Sequence, residues 1–238
     1  MNEESDGSPD PAAELELGIK QVAVQQTPDG SYQIILRTTR GDIPGILHAC
    51  EGGTGAAVFI SGASGGVHGP ADSVYERLAF KLSDSGVSSL RLDYRMPGDF
   101  DECVLDALGG VSFLRGIGAE RVVVVGHSFG GAVAIKAGQL SESVCAVVAM
   151  SSQMFGTNNV ERLSPRPLLL VHGMDDQVLE ATASELIYQS AAEPKELVLY
   201  EGAGHALEHC SDELFELLSG WIPRQMANTS DEQSGGGR

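Results

Sequence analysis

Residues 122–131 read Val122-Val123-Val124-Val125-Gly126-His127-Ser128-Phe129-Gly130-Gly131, and how this stretch folds governs the rest of the chain. Four consecutive valines have the composition of a strand buried on both faces, as in the middle of a parallel sheet. The segment Ala132–Leu140 that follows has a helical pattern, so the residues between form a tight strand-to-helix turn. The G-x-S-x-G spacing has a steric cause. Side chains two residues to either side of the serine would collide in such a turn, so positions 126 and 130 require glycine. The turn projects the Ser128 hydroxyl above the sheet and leaves the N–H of Phe129 free at a helix N-terminus. Ser128 is therefore the expected nucleophile, and an ordinary strand-to-helix loop is the plainer alternative.

Working outward, strand-like and helical stretches alternate. Val22–Gln26 and Tyr32–Thr38 flank the turn signal Pro28-Asp29-Gly30 and read as a hairpin. Strands are expected at Ala56–Ile60, Val87–Leu92, Val144–Met150, Leu168–Val171 and Glu196–Tyr200. Helices are expected at Val74–Ser83, Asp101–Leu114, Ala181–Ala191 and Asp212–Trp221. An antiparallel start followed by strand–helix units predicts an α/β fold: a mostly parallel sheet, an N-terminal hairpin, and helices on both faces. Ligand sites in such sheets lie at the carboxyl ends of the strands.

Three more strand ends carry chemistry. After Leu168–Val171 come His172-Gly173-Met174-Asp175-Asp176. A carboxylate there could hold an imidazole in one tautomer, and the two adjacent aspartates compete for the role. After Glu196–Tyr200 come Glu201-Gly202-Ala203-Gly204-His205, whose glycines let His205 turn back towards Ser128. After Ala56–Ile60 comes the glycine-rich run Ser61-Gly62-Ala63-Ser64-Gly65-Gly66. It lacks the Lys-Ser/Thr ending of a phosphate-binding loop. The N–H groups of Ala63 and Phe129 are the expected donors of an oxyanion hole.

These motifs, in the order Ser128, Asp176, His205, resemble the α/β-hydrolase superfamily over roughly residues 20–222. Within it the chain is similar to lidless carboxylesterases and dienelactone hydrolases. The resemblance selects Asp176 over Asp175, because the superfamily pattern is His-Gly, two residues, then the acid. Ser61 departs from it, standing where a histidine is common. A dienelactone hydrolase would typically carry cysteine at position 128. Serine there implies ester, thioester or amide acyl chemistry on a small-molecule acyl substrate. The connection from Ser151 to Pro167 is too short for a helical cap, which implies an open, shallow pocket. No cofactor is expected.

Composition narrows the setting. The chain has 238 residues, one domain's worth, and a formal charge of −18 from 33 acids and 15 bases. Such a charge repels nucleic acid and anionic membranes, so neither is an expected partner. No apolar run reaches the roughly 18–20 residues of a membrane span, and Met1–Pro11 lacks the features of a secretory signal. The expected location is cytoplasmic, with Cys50, Cys103, Cys145 and Cys210 reduced. Residues 1–16 and 224–238 read as disordered tails around a domain at 17–223.

Two other classes fit some of these residues. His205-Ala206-Leu207-Glu208-His209 is an H-x-x-E-H string, which on a helix could bind zinc with Glu208 as general base. The fold could also persist in a binding protein that has lost turnover. His48, His68, His127 and His172 have no partner visible in sequence and read as structural, with His68 near enough to the glycine-rich run to touch substrate. Asp93-Tyr94-Arg95 also reads as structural.

Overall fold

The structure, a computed structural model, describes residues 16–226. Nearly all of the two expected disordered tails, residues 1–15 and 227–238, lies outside the described residues. One nine-stranded sheet organises the rest, in the order β1-β2-β3-β5-β4-β6-β7-β8-β9. The antiparallel strands are β1 (Ile19–Gln26), β2 (Tyr32–Thr38) and β3 (Gly41–His48). They join β5 (Val87–Leu92), also antiparallel to β3. From β5 the sheet is parallel through β4 (Gly55–Ile60), β6 (Arg121–His127), β7 (Val144–Met150), β8 (Leu168–Gly173) and β9 (Lys195–Tyr200).

β3 is the strand that sequence reasoning missed. Gly41, Pro44 and Gly45 give it the composition of a loop. Proline is tolerated because pairing with β5 begins one residue later, at Gly45. The Pro44 carbonyl still accepts a hydrogen bond from Asp93 N–H at 2.9 Å.

The valines of β6 divide between two cores. Val122 and Val124 face the layer of α2 (Phe100–Gly116), α3 (Phe129–Leu140) and α4 (Thr182–Ser190). Val123 and Val125 face the layer of α1 (Pro70–Ser83) and α5 (Ser211–Arg224). Strand periodicity thus buries all four side chains, two on each face. Burying a valine fully contributes about 1.5–3 kcal/mol, so a polar residue in this run would be strongly destabilising. In α1, Ala71, Asp72 and Ser73 have positive φ of 50–60°, and regular helix starts at Val74, the expected boundary. Residues 151–167 hold only a 3₁₀ turn at Val160–Leu163 and no cap. All four cysteines are free thiols, and no helix among the described residues is long and apolar enough to cross a membrane.

The topological switch point lies between β4 and β6, because the chain leaves β4 towards β5 on one side and leaves β6 towards β7 on the other. The loops after β4 and β6 therefore diverge and leave a crevice at the carboxyl edge.

Candidate active site

The turn after β6 has the strain its sequence implies. Ser128 has φ 58° and ψ −120°, a region that non-glycine residues occupy at a cost of about 1–3 kcal/mol. A Cβ on Gly126 would lie 1.9 Å from the Gly130 carbonyl oxygen, and one on Gly130 would lie 2.2 Å from that of Ser61. Both obstacles are backbone, so neither glycine can be replaced without moving the elbow or the loop after β4.

The three separated strand ends converge. Ser128 Oγ–H donates to His205 Nε2 at 3.0 Å, and His205 Nδ1–H donates to Asp176 Oδ2 at 2.7 Å. Asp175 is exposed and its side chain takes no part, although its N–H donates to the Ala203 carbonyl at 2.9 Å. The structure thus brings Asp176, not Asp175, to His205. Burial pushes the Asp176 carboxyl pKa up. The N–H groups of Leu179 and Val178 on Oδ1, with His205 on Oδ2, outweigh it and hold the acid below its ordinary value.

Ala63 lines the crevice, and Phe129 directly follows the serine that does so. Phe129 is the first residue of α3, where an N–H has no intrahelical acceptor. The Ala63 N–H makes no backbone hydrogen bond among the described residues. Gly62 packs its Cα side towards the serine, a Cβ there coming 3.7 Å from Ser128 Cβ. The residues Asp93-Tyr94-Arg95 are structural, as expected, and what they hold is this loop. Asp93 Oδ1 accepts from Gly66 N–H at 2.7 Å, and Tyr94 O–H donates to the Ser61 carbonyl at 3.0 Å. Arg95 is itself fixed by Asp106 and Glu102. The crevice beside Ser128 has a volume of about 480 Å³ and is lined by the loop 61–70, His127, His205 and Ala206. His68 is on its wall, exposed and 3.5 Å from Glu76.

Two histidines that sequence left without partners touch this constellation. His127 Nε2–H donates to the His205 carbonyl at 2.9 Å, and the two rings sit 4.9 Å apart. His172 lies within 3.1 Å of Asp176 Oδ2. The only signals in sequence were their places in G-H-S-x-G and H-G-x-x-D, and neither spacing names the contact.

Burial pushes the His127 pKa down to about 4; the His205 carbonyl and the Asp176 charge oppose the shift without overcoming it. An unfolded histidine binds its proton near about 6.5. Between those values the unfolded chain takes up a proton that the folded chain refuses, so acidification destabilises the fold across this window. The slope from this one group is at most about 1.4 kcal/mol per pH unit. Denaturant titrations of wild type and His127→Gln at pH 7, 6 and 5 check this. The variant should lose less stability on acidification, and parallel losses would contradict the assignment.

The H-x-x-E-H string does not form the helical face that a zinc reading needs. Leu207 has φ 58°, and only Glu208–Cys210 form a short 3₁₀ turn. His205 points to Ser128 and Asp176, whereas His209 is exposed.

A profile of the alpha/beta hydrolase family matches residues 57–162. The chain is 30% identical over 122 residues to the uncharacterized protein YfhR of Escherichia coli (strain K12), covering 42% of this chain and 43% of that protein. It is 29% identical over 187 residues to an uncharacterized protein of Mycobacterium tuberculosis (strain H37Rv), covering 65% and 64%. The chain thus matches less than half the length of the first relative and under two thirds of the second. Among solved structures, a dienelactone hydrolase from Anabaena variabilis superimposes with TM-score 0.70 at 20% identity, covering 84% of this chain and 98% of that one. A serine hydrolase without lid from Xanthomonas campestris gives TM-score 0.69 at 16% identity, covering 86% and 99%. These structural likenesses show that the chain has the α/β-hydrolase fold, and over residues 57–162 its sequence matches the alpha/beta hydrolase family.

Proposed function

We propose that this chain is a serine hydrolase that cleaves an ester, or a related acyl bond, of a small substrate through Ser128, His205 and Asp176. The observation that carries the reading is the continuous line of hydrogen bonds from Ser128 Oγ through both nitrogens of His205 to a buried carboxylate. That line opens on a crevice lined by Ala63, whose N–H makes no backbone hydrogen bond among the described residues. A strained serine has no structural need of that conformation, since the strain costs about 1–3 kcal/mol.

The residues act in two half-reactions. His205 Nε2 takes the Ser128 proton as Oγ attacks the substrate carbonyl carbon, and the carbonyl oxygen becomes an oxyanion held by the Ala63 and Phe129 N–H groups. The Asp176 charge stabilises the imidazolium so formed. His205 then gives its proton to the leaving alcohol, and the acyl group stays on Ser128. Water enters, His205 removes its proton as the water oxygen bonds to the acyl carbon, and the acyl–Oγ bond then breaks with that proton passed from His205 to Oγ, releasing the acid and restoring Ser128. Each donor lost from the oxyanion hole would cost about 3 kcal/mol in the transition state.

The open crevice suits a small or flexible acyl group. An edge-to-face series of rings starts at Phe129, the residue after the serine: Phe129 with Phe100, centroids 5.9 Å apart, and Phe100 with Phe155 at 5.5 Å. Phe155, at the far end of this series from Phe129, is exposed at 72%.

A series of p-nitrophenyl esters of increasing acyl length, with acyl-CoA and aminoacyl amides alongside, tests the reading. Hydrolysis of at least one ester is expected, with kcat/KM falling tenfold per pH unit on the acid side. That slope is of one proton, the one a base imidazole must lose. The acid limb should persist in EDTA. Turnover abolished by EDTA and restored by Zn²⁺ would support the metal reading, and no turnover or phosphonate labelling at all would support the binding-protein reading.

A further inference from the structure

His172 is fully buried in β8 and makes three polar contacts. Its Nε2 lies 3.1 Å from Asp176 Oδ2 and 3.0 Å from the Leu179 carbonyl oxygen. Its Nδ1 lies 2.7 Å from Ser184 Oγ, on α4. Neither group facing Nε2 can donate: one is a carbonyl, and the other an ionised carboxylate oxygen that already receives His205 Nδ1–H. Nε2 must therefore carry a proton. In the neutral ring Nδ1 is then the acceptor, and Ser184 donates its hydroxyl proton to it. Ser184 is itself fully buried, so the ring cannot rotate without leaving both ends unpaired, at about 1–3 kcal/mol for each group.

We propose that His172, held by Ser184, is a positioning residue for the acid of the triad: it fixes the rotation of the Asp176 carboxylate and shares its Oδ2 with His205. Two donors meet at that one oxygen, from β8 and from the loop after β9, while the backbone N–H groups of Val178 and Leu179 occupy Oδ1. The third titratable group facing the cluster is His127, from the end of β6. All the acceptor capacity of Asp176 is thus directed, and the share that reaches His205 is set by its competitor. Removing the His172 N–H leaves Oδ2 to His205 alone. The imidazolium form of His205 is then favoured more strongly, and protonation disables the base at a higher pH. The inference rests on the serine reading above and adds a residue to it.

The test compares kcat/KM against pH for wild type, His172→Phe and His172→Gln, the first keeping bulk without a donor and the second restoring an amide N–H. The expected result is an acid limb displaced upward by roughly half a pH unit or more in His172→Phe, with a plateau about tenfold lower, and substantial return of both in His172→Gln. A folded His172→Phe protein with an unmoved midpoint would overturn the proposal, because a packing role lowers activity equally at every pH. So would a shift that glutamine leaves untouched. If His172→Phe does not fold, ¹⁵N imidazole spectra of the wild type decide: a protonated Nε2 on His172 supports the proposal, and a ring protonated on Nδ1 alone overturns it. Phosphonate labelling of wild-type Ser128 keeps the two readings apart. Absence of labelling contradicts the serine mechanism itself, whereas labelling with an unmoved midpoint contradicts only the role of His172.

Discussion

Ser128→Ala should lower kcat for any hydrolysed ester by at least about 10⁴-fold and leave the thermal midpoint within a few degrees of wild type. The size of the loss follows from the chemistry. Without Oγ no acyl-enzyme forms, and only the oxyanion donors and substrate binding remain to assist a water. The small effect on stability follows from the contacts. Among the described residues the Ser128 side chain has one hydrogen-bond partner, His205 Nε2, and His205 lines the open crevice. The Ser128 carbonyl continues to receive Gly131 N–H, and the Ser128 N–H continues to donate to the Met150 carbonyl at 2.8 Å. Ester hydrolysis with far-UV dichroism on the same samples measures both. A folded variant with undiminished turnover would remove Ser128 from the mechanism.

Asp176→Asn should be nearly as damaging, a loss of roughly 10⁴-fold in kcat, while Asp175→Asn should change it by less than about twofold. The carboxylate of Asp176 receives hydrogen bonds on both oxygens: Val178 and Leu179 N–H on Oδ1, His205 and His172 on Oδ2. An asparagine must turn its NH₂ towards one of these pairs and set donor against donor. If it faces the histidines, His205 is driven to the wrong tautomer. If it faces the backbone, two buried N–H groups lose their acceptor. Either way the charge that stabilises the imidazolium is gone. Some loss of stability accompanies it, read as a lower denaturant midpoint. The Asp175 side chain is exposed and outside this network, so its amide form should be silent. The reverse ranking of the two variants would mean that the wrong aspartate has been assigned as the acid.

Much of this architecture is written in local sequence, and the exceptions share a cause. The valine strand, the glycines of the elbow and the helix after it are legible because each obeys a short-range steric or periodic rule. The hairpin β1–β2 is legible from Pro28-Asp29-Gly30 for the same reason. The strand β3 was not, because what makes Gly41–His48 a strand is the edges offered by β2 and β5, not its own composition. The choice of Asp176 came from the spacing shared with the superfamily; its geometry adds two backbone donors that no spacing encodes. His127 and His172 read as structural in the sequence because their partners are set by how the chain folds. His127 meets a carbonyl 78 residues away, and His172 gains its proton assignment from two groups on the loop after β8 and from Ser184 on α4. Asp93 and Tyr94 were placed as structural, but that they shape the loop carrying Ala63 depends on a contact between neighbouring strand ends. The H-x-x-E-H string shows the opposite failure. Its spacing is meaningful only on a helix, and the left-handed conformation of Leu207 breaks the helix there.

The central claim is that Ser128 is a nucleophile activated by His205. The rate of covalent labelling by a fluorophosphonate, read by intact mass and peptide mapping from pH 5 to 9, tests it most directly. The account predicts a single adduct on Ser128, absent from Ser128→Ala. Its formation should slow through one acid limb, tenfold per pH unit, that coincides with the limb of kcat/KM and persists in EDTA. An adduct on another residue, or labelling of Ser128 at a rate indifferent to pH across that range, would contradict it.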